Sequence, residues 1–308
     1  MFKFSSSLYD FDWNLLNMIH DKVHLEKDWK VIRVFSKDMH KYFEDWYIFE
    51  WNDLSTWMQE FRDDFRFFHS VFEAIKNKNF WYSFNSFISN TIKANHIWII
   101  TWRSISRDAL KLFHSNIILH YLTKEEQEEF MKNMKEKLLL INNNKENISL
   151  YEIKSLNFVD VFRERIESYT IYDFIDFYTH YNSYFPINNI CLLQKLWLKK
   201  EDLTNDQKKN LFFDKYFNNS LEYISKLWLL KGEKLELRYS FSDDDEKNIW
   251  IINSRFSEIQ NTIENYLEKL NSKVKKLKFE ASIFYVDSDT NSLFRKYEVE
   301  TKINSLKN

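Results

Sequence analysis

A chain of 308 residues with one glycine, Gly232, must make nearly all of its tight turns without the residue best suited to them. Average usage of about 7% would supply roughly 21 glycines. The sequence instead carries 11 tryptophans, many of them beside turn-forming residues. Trp29 lies in EKDWKVI, Trp46 in FEDWYIF and Trp51 in FEWNDL. Asp-Gly and Gly-Asn are strong hairpin signals, whereas Asp-Trp and Trp-Asn are not. Trp197 in QKLWLKKEDL and Trp228 in SKLWLLKGEK follow expected helix ends, where the left-handed capping position favours glycine. Trp13 and Trp102 follow polar residues at expected strand ends, where a glycine would let the backbone approach a ligand.

Two readings meet these contexts. In the first, the source decodes UGA as glycine, as some bacterial lineages do, and the sequence shows those codons as tryptophan. Abundant Lys, Asn, Ile, Phe and Tyr with a single proline suit the AT-rich genome this requires. In the second, the tryptophans are genuine and serve mainly as core anchors, since tryptophan is often well buried. The contexts are many and independent, and they favour the first reading. Eleven UGG codons in the coding DNA would rule it out.

The remaining composition narrows the field. Hydrophobic content of 44% with 29% charged residues is that of a globular chain rather than a disordered one. A net charge of −2 argues against a broad nucleic-acid footprint. Cys191 is the only cysteine, so an intramolecular disulfide and a cysteine-rich zinc site are both excluded. No apolar run approaches the ~18 residues of a membrane span, and the first residues lack the apolar core of a signal peptide. The expectation is a cytoplasmic protein without a membrane partner.

Hydrophobic patterning predicts strands alternating with helices. Residues 2–11 read as a strand ending at Asp10, and 31–43 as a strand followed by a helix. Phe84, Phe87, Ile88 and Ile92 recur at helical spacing over 83–96, with Ser83 or Asn85 as the expected N-cap. IWIIT, 97–101, is the continuous apolar run of a buried parallel strand, and a helix follows to residue 122. Residues 124–150 are Lys-, Glu- and Asn-rich, with INNNKENIS as a low-complexity loop or an insertion; 157–182 read as amphipathic helix, 185–193 as a third core strand and 202–227 as helix. A strand over 234–248 runs into Asp243, Asp244 and Asp245, with a helix at 257–277 and a late strand at 278–286. Such alternation implies an α/β fold with a Rossmann-like parallel sheet flanked by helices.

In open parallel sheets, functional residues gather at the carboxyl ends of the strands. Here those ends carry Asp10 and Asp12, Thr101, and Asp243 and Asp244. Clustered carboxylates repel one another unless a cation intervenes, and hard oxygen donors suit Mg²⁺. Other candidates carry less. His20 and His24 have metal-ligand spacing for a helix, but no third ligand accompanies them, so a structural role is expected. Arg62, Asp63 and Asp64 read as a solvated face. The aromatic segments FRFFHSVF and IYDFIDFYTHY read as core rather than base-stacking platforms.

With Trp13 read as glycine, LYDFDWNLL becomes DFDGNLL, which resembles the first motif of the haloacid dehalogenase-like (HAD) hydrolase superfamily, DxDGT. HIWIITWRS becomes HIGIITGRS, similar to the second motif, a strand ending in Ser or Thr. YSFSDDDEKN resembles the acidic fourth motif. The three occur in order, each at a strand end, and cover roughly residues 2–16 and 83–290. Asn14 departs from the pattern, standing where threonine is usual.

The resemblance implies an Mg²⁺-dependent phosphatase. Asp10 would be the nucleophile that forms an aspartyl-phosphate, and Asp12 the acid and base. Thr101 would hold the transferring phosphoryl group. Asp243 and Asp244 would bind or orient Mg²⁺ together with Asp10 and Asp12. Lys215 is the favoured lysine of the third motif, with Lys208 and Lys209 as alternatives. The implied layout is a HAD-like core over 1–16 and 83–308, a mainly helical elaboration over 124–184, and a small inserted cap or flap over 17–82. The implied partner is a phosphorylated small molecule. A non-catalytic HAD-like scaffold and a nucleic-acid-end phosphatase remain as alternatives.

Overall fold

The structure is a computed structural model of the whole chain. It describes residues 2–11, 15–16, 22–35, 39–49, 64–101, 103, 105–142, 168–186, 207, 211–218, 220–221, 234–269, 276–287 and 292–303.

Six strands form the main sheet, in the order β6-β5-β1-β7-β8-β9. They are β1 (Phe2–Asp10), β5 (His96–Thr101), β6 (Ser183–Pro186), β7 (Lys234–Asp243), β8 (Lys276–Asp287) and β9 (Ser292–Ile303). All neighbouring pairs are parallel except β8 with β9. β5 shows why the apolar run demanded this place: all six of its residues are buried, as a strand covered on both faces requires.

Pleat alternation divides the core in two. Tyr9, Phe11, Ile97 and Ile99 belong to one cluster, and Phe4, Leu8, Trp98 and Ile100 to the other. Four helices contribute to the first cluster: α2 (Asp64–Lys76), α3 (Ser83–Ile92), α4 (Arg107–Asn116) and α6 (Ile171–Tyr181). They are joined there by α5 (Lys124–Asn142). α7, helical over 211–218, and α8 (Glu246–Lys269) supply the second. The fold is therefore α/β, with a mostly parallel sheet flanked by helices on both faces, compatible with a Rossmann-like arrangement.

A second, antiparallel sheet has the order β3-β2-β4, from β2 (Lys22–Lys27), β3 (Lys30–Phe35) and β4 (Ile48–Phe49). A short helix, α1 (Met39–Phe43), lies between β3 and β4 in the chain. The pairing Lys27↔Lys30 leaves a two-residue turn, Asp28-Trp29, with φ of 50° and 64°. Positive φ at both central residues is the type I′ hairpin turn, whose preferred sequences end in glycine. Trp29 is 95% exposed.

Trp46 repeats the pattern behind α1. Its N–H donates to the Phe43 carbonyl and that of Tyr47 to the Tyr42 carbonyl, both at 3.1 Å, with φ of 65° at Trp46. This is a Schellman cap with tryptophan at its left-handed position, where glycine is the common residue. The indole there is 83% exposed. Lys78 and Ala94 occupy equivalent caps behind α2 and α3.

Several sequence expectations need correction. His24 lies in β2, so the helical spacing proposed for His20 and His24 does not exist; His20 lies outside the described residues. The cap residue of α3 is Tyr82, without a side-chain hydrogen bond, and Ser83 is the first helical residue. The third core strand lies at Ser183–Pro186, ahead of most of the segment assigned to it. α8 starts directly behind the aspartate run rather than at residue 257.

Candidate active site

β1 is the switch point of the main sheet. The chain crosses from β1 to β5 and β6 on one side, then returns to β7 and β8 on the other. A crevice forms outside the carboxyl ends of strands where the direction of winding reverses. Asp10 ends β1 and Asp243 ends β7. The register Tyr9↔Ser242 makes these two aspartates the next neighbours across the strand pair, on one side of the pleat. Thr101 ends β5 on the other flank of β1, one residue beyond the pairing Asp10↔Ile100.

Each end is braced by backbone donors. Phe11 N–H reaches the Ile100 carbonyl at 2.7 Å, carrying the β1–β5 pairing past Asp10. Arg103 N–H donates to Thr101 Oγ1 at 3.2 Å, which tightens the turn behind β5. Asp243 Oδ1 accepts from Asp245 N–H at 2.9 Å. Asn248 Nδ2 lies 3.2 Å from the same oxygen and 3.3 Å from Oδ2.

Asp10 is 1% exposed and Asp243 0%. Burying two carboxylates on adjoining strand ends carries desolvation and Coulomb costs that a bound cation offsets. Their hard oxygens are of the kind Mg²⁺ selects. Asp244 is half-buried beside them, and Asp12 lies outside the described residues. Among the described residues no group of three His, Cys, Asp or Glu gathers around one point. The donors present therefore fit Mg²⁺ in kind, with two of the four expected ligands, Asp10 and Asp243, at adjoining strand ends.

Lys215 stands on α7, whose Phe212, Phe213, Tyr216 and Phe217 pack in the cluster containing Leu8, Ile100 and Phe241. Phe213 and Asp243 both line a small cavity under the strand ends, together with Leu8, Ile100 and Asn248. The helix thus covers the sheet face to which Asp10 and Asp243 point. Partial burial, and then the charge of Arg107, lower the Lys215 ammonium below the ordinary lysine range. Lys208 and Lys209, like Trp13, Asn14 and Trp102, lie outside the described residues.

Three residues that the sequence did not single out frame this edge. Arg103 is buried, its guanidinium 5.8 Å from the ring centre of Phe11 and 5.7 Å from that of Phe67. Phe67 comes from α2 and also meets Phe11 directly, with ring centres 5.4 Å apart. Asn248 is buried against Asp243. Asp64, expected on a solvated face, is instead half-buried. Its carboxylate accepts Ser106 N–H at 2.8 Å and Ser106 O–H at 2.5 Å, while Ser106 caps α4 through Ala109 N–H. An aspartate at a helix start facing another helix's N-cap leaves no periodic signal in either segment. Asn248 could have been found once the helix start was placed immediately behind the aspartates.

No family model matches the chain, and no curated protein or solved structure matches it. No helix among the described residues is long and apolar enough to cross a membrane.

Proposed function

We propose that the chain is a HAD-like, Mg²⁺-dependent phosphatase acting on a phosphorylated small molecule, with the insertion over 17–82 as its cap. One observation carries the reading: Asp10 and Asp243 are buried side by side at the carboxyl ends of adjacent parallel strands, at the point where the sheet reverses direction.

An Asp10 carboxylate oxygen attacks phosphorus. An O–P bond forms as the bond to the leaving alkoxide breaks, and Asp12 supplies the proton that the alkoxide takes. Water then attacks the aspartyl-phosphate, passing a proton to Asp12 and releasing inorganic phosphate and Asp10. Thr101 and Lys215 hold the phosphoryl oxygens. When bound, Mg²⁺ shields the approach of one anion to another.

The same proposal reads Trp13 and Trp102 as native glycines, which gives the phosphate room beside Asp10. The left-handed backbone at the exposed Trp29 and Trp46 supports the decoding on which this rests.

The test is hydrolysis of an aryl phosphate by protein carrying glycine at positions 13 and 102. Turnover that requires Mg²⁺ and falls to background in Asp10→Asn is expected. Undiminished turnover in that variant removes Asp10 as nucleophile. No Mg²⁺-dependent turnover before substitution leaves a non-catalytic binding role.

A further inference from the structure

We infer that Lys137 is a proton-sensitive latch that holds α5 on the turn joining α3 to β5. The latch lies away from the proposed catalytic residues and does not depend on the phosphatase reading.

Behind α3 the chain turns through Ala94, at φ of 50°, and the last carbonyls of the helix and its turn need partners from elsewhere. Side chains of two other helices take them. Asn133 Nδ2 donates to the Ile92 carbonyl at 2.9 Å. Lys137 Nζ, one turn further along α5, donates to the Ala94 carbonyl and, at 3.2 Å, to Asn95 Oδ1. Tyr178 O–H, from α6, donates to the Asn95 carbonyl at 2.7 Å. A cation suits the negative end of a helix. The contact continues into the sheet. Asn95 Nδ2 donates to Asn90 Oδ1 at 2.9 Å, and Asn90 Nδ2 donates to Ser7 Oγ at 3.1 Å and to the Tyr9 hydroxyl oxygen at 2.8 Å. A hydrogen-bonded path thus runs from α5 through α3 to β1.

The cation at the head of this path has no counter-charge. Lys137 is half-buried, and among the described residues no carboxylate pairs with it. The ionisable groups that the packed elements bring to the turn are Lys93 behind α3, His96 on β5 and Tyr178 and Tyr181 on α6, with Lys135 and Glu136 beside Lys137 on α5. Burial keeps His96 and Tyr178 neutral, and Lys93 and Glu136 are exposed. Burial lowers the Lys137 ammonium to about 7, whereas release of α5 into water returns it to the ordinary 10.5. Between those values the released helix holds more protons than the docked one. Docking therefore tightens as pH rises above 7 and is weakest, and flat, below it. A neutral amine can still donate to the Ala94 carbonyl, so the contact survives while the cost of burying its charge disappears.

The experiment is amide hydrogen exchange of the full chain at pH 7, 8 and 9, corrected for intrinsic exchange, for wild type, Lys137→Met and Lys137→Arg. Methionine keeps the stem without the proton, and arginine keeps the charge at every pH. Protection over residues 124–142 should rise by up to about 10-fold per pH unit in wild type relative to either variant, with no such rise over β8. The arginine variant alone supplies the reference if the methionine variant does not fold. Parallel profiles in wild type and the variants overturn the proton link. An equal rise over α5 and β8 assigns the proton to unfolding of the whole chain and overturns the latch.

Discussion

Among the described residues, the turn tryptophans Trp29 and Trp46 contrast with the buried Trp81 and Trp98, and the difference bears on whether position 98 can be glycine. Trp29 and Trp46 project into solvent from left-handed backbone that disfavours any side chain, at turns built in the manner of glycine turns. Trp98 is the opposite case. It sits in the middle of β5 at 1% exposure, edge-on to Tyr216 at 4.5 Å and tilted against Phe185 at 5.1 Å between ring centres, with its indole N–H 2.8 Å from His96 Nδ1. Trp81 is buried as well. A single decoding rule would make all of these glycine. The turns fit that rule, whereas the core around position 98 is filled by an indole.

The contrast is broken or sharpened most strongly at position 98. Removing a buried tryptophan costs about 3–5 kcal/mol, and glycine within a strand adds further backbone entropy. Trp98→Gly should therefore destabilise by about 4 kcal/mol or more in a urea titration, with Trp98→Phe losing less. An unchanged or raised midpoint in Trp98→Gly would show that the sheet closes over glycine, and would extend the glycine reading from the turns to the core.

Much of the framework was legible because periodicity is local. β5 was readable as an apolar run and β1 and β7 as strands with apolar residues at alternate positions, each ending in polar residues, and Asp10, Thr101 and Asp243 were located by those ends. What escaped depends on the partner rather than the segment. His24 was placed on a helix because i, i+4 spacing exists in any register, whereas its backbone pairs with Arg33 across a hairpin. The glycine-poor turn between them hid that hairpin. β9 was missed because an antiparallel edge strand such as SLFRKYEVETKI carries as many charges as apolar residues. Asp64 and Asn248 acquire meaning only from Ser106 and Asp243, contacts that no spacing within their own helices encodes.

Buried histidines give a second, smaller test of the filled core. Burial, and for His96 also the charge of Lys137, lowers His96 to about 3, and burial alone lowers His114 to about 3. Both stay neutral when folded, whereas in the unfolded chain they take up protons near pH 6.5. Their contribution is complete above that pH and is lost as pH falls toward 3. Each histidine costs about 1.4 kcal/mol per pH unit in that window, or about 3 kcal/mol for the pair. Denaturation midpoints at pH 7.5, 6 and 5 should fall accordingly. A flat profile would mean that water reaches these rings. Trp98→Gly should flatten the His96 share, because an opened cavity solvates the imidazole.

The smallest effect separates backbone from side chain at the turns. A non-glycine residue in left-handed backbone costs roughly 1–2 kcal/mol, which glycine avoids. Trp29→Gly and Trp46→Gly should each raise stability by about 1 kcal/mol. Lys27, beside the first turn, donates to the Asp45 carbonyl at 2.7 Å and lies over the Tyr47 ring at the second, so the double variant measures how far the two gains couple. Alanine is the control that matters. It removes the exposed indole but keeps Cβ, so Trp29→Ala and Trp46→Ala should stay near wild type if the backbone carries the gain. Equal gains for alanine and glycine would assign the effect to the indole, and the turns would then say nothing about decoding. Lys78 supplies the reference, a left-handed cap that is not tryptophan. Lys78→Gly should gain a similar amount, because the term belongs to the conformation. What would remain particular to Trp29 and Trp46 is that a large apolar ring is exposed at a place where it contributes nothing to the fold.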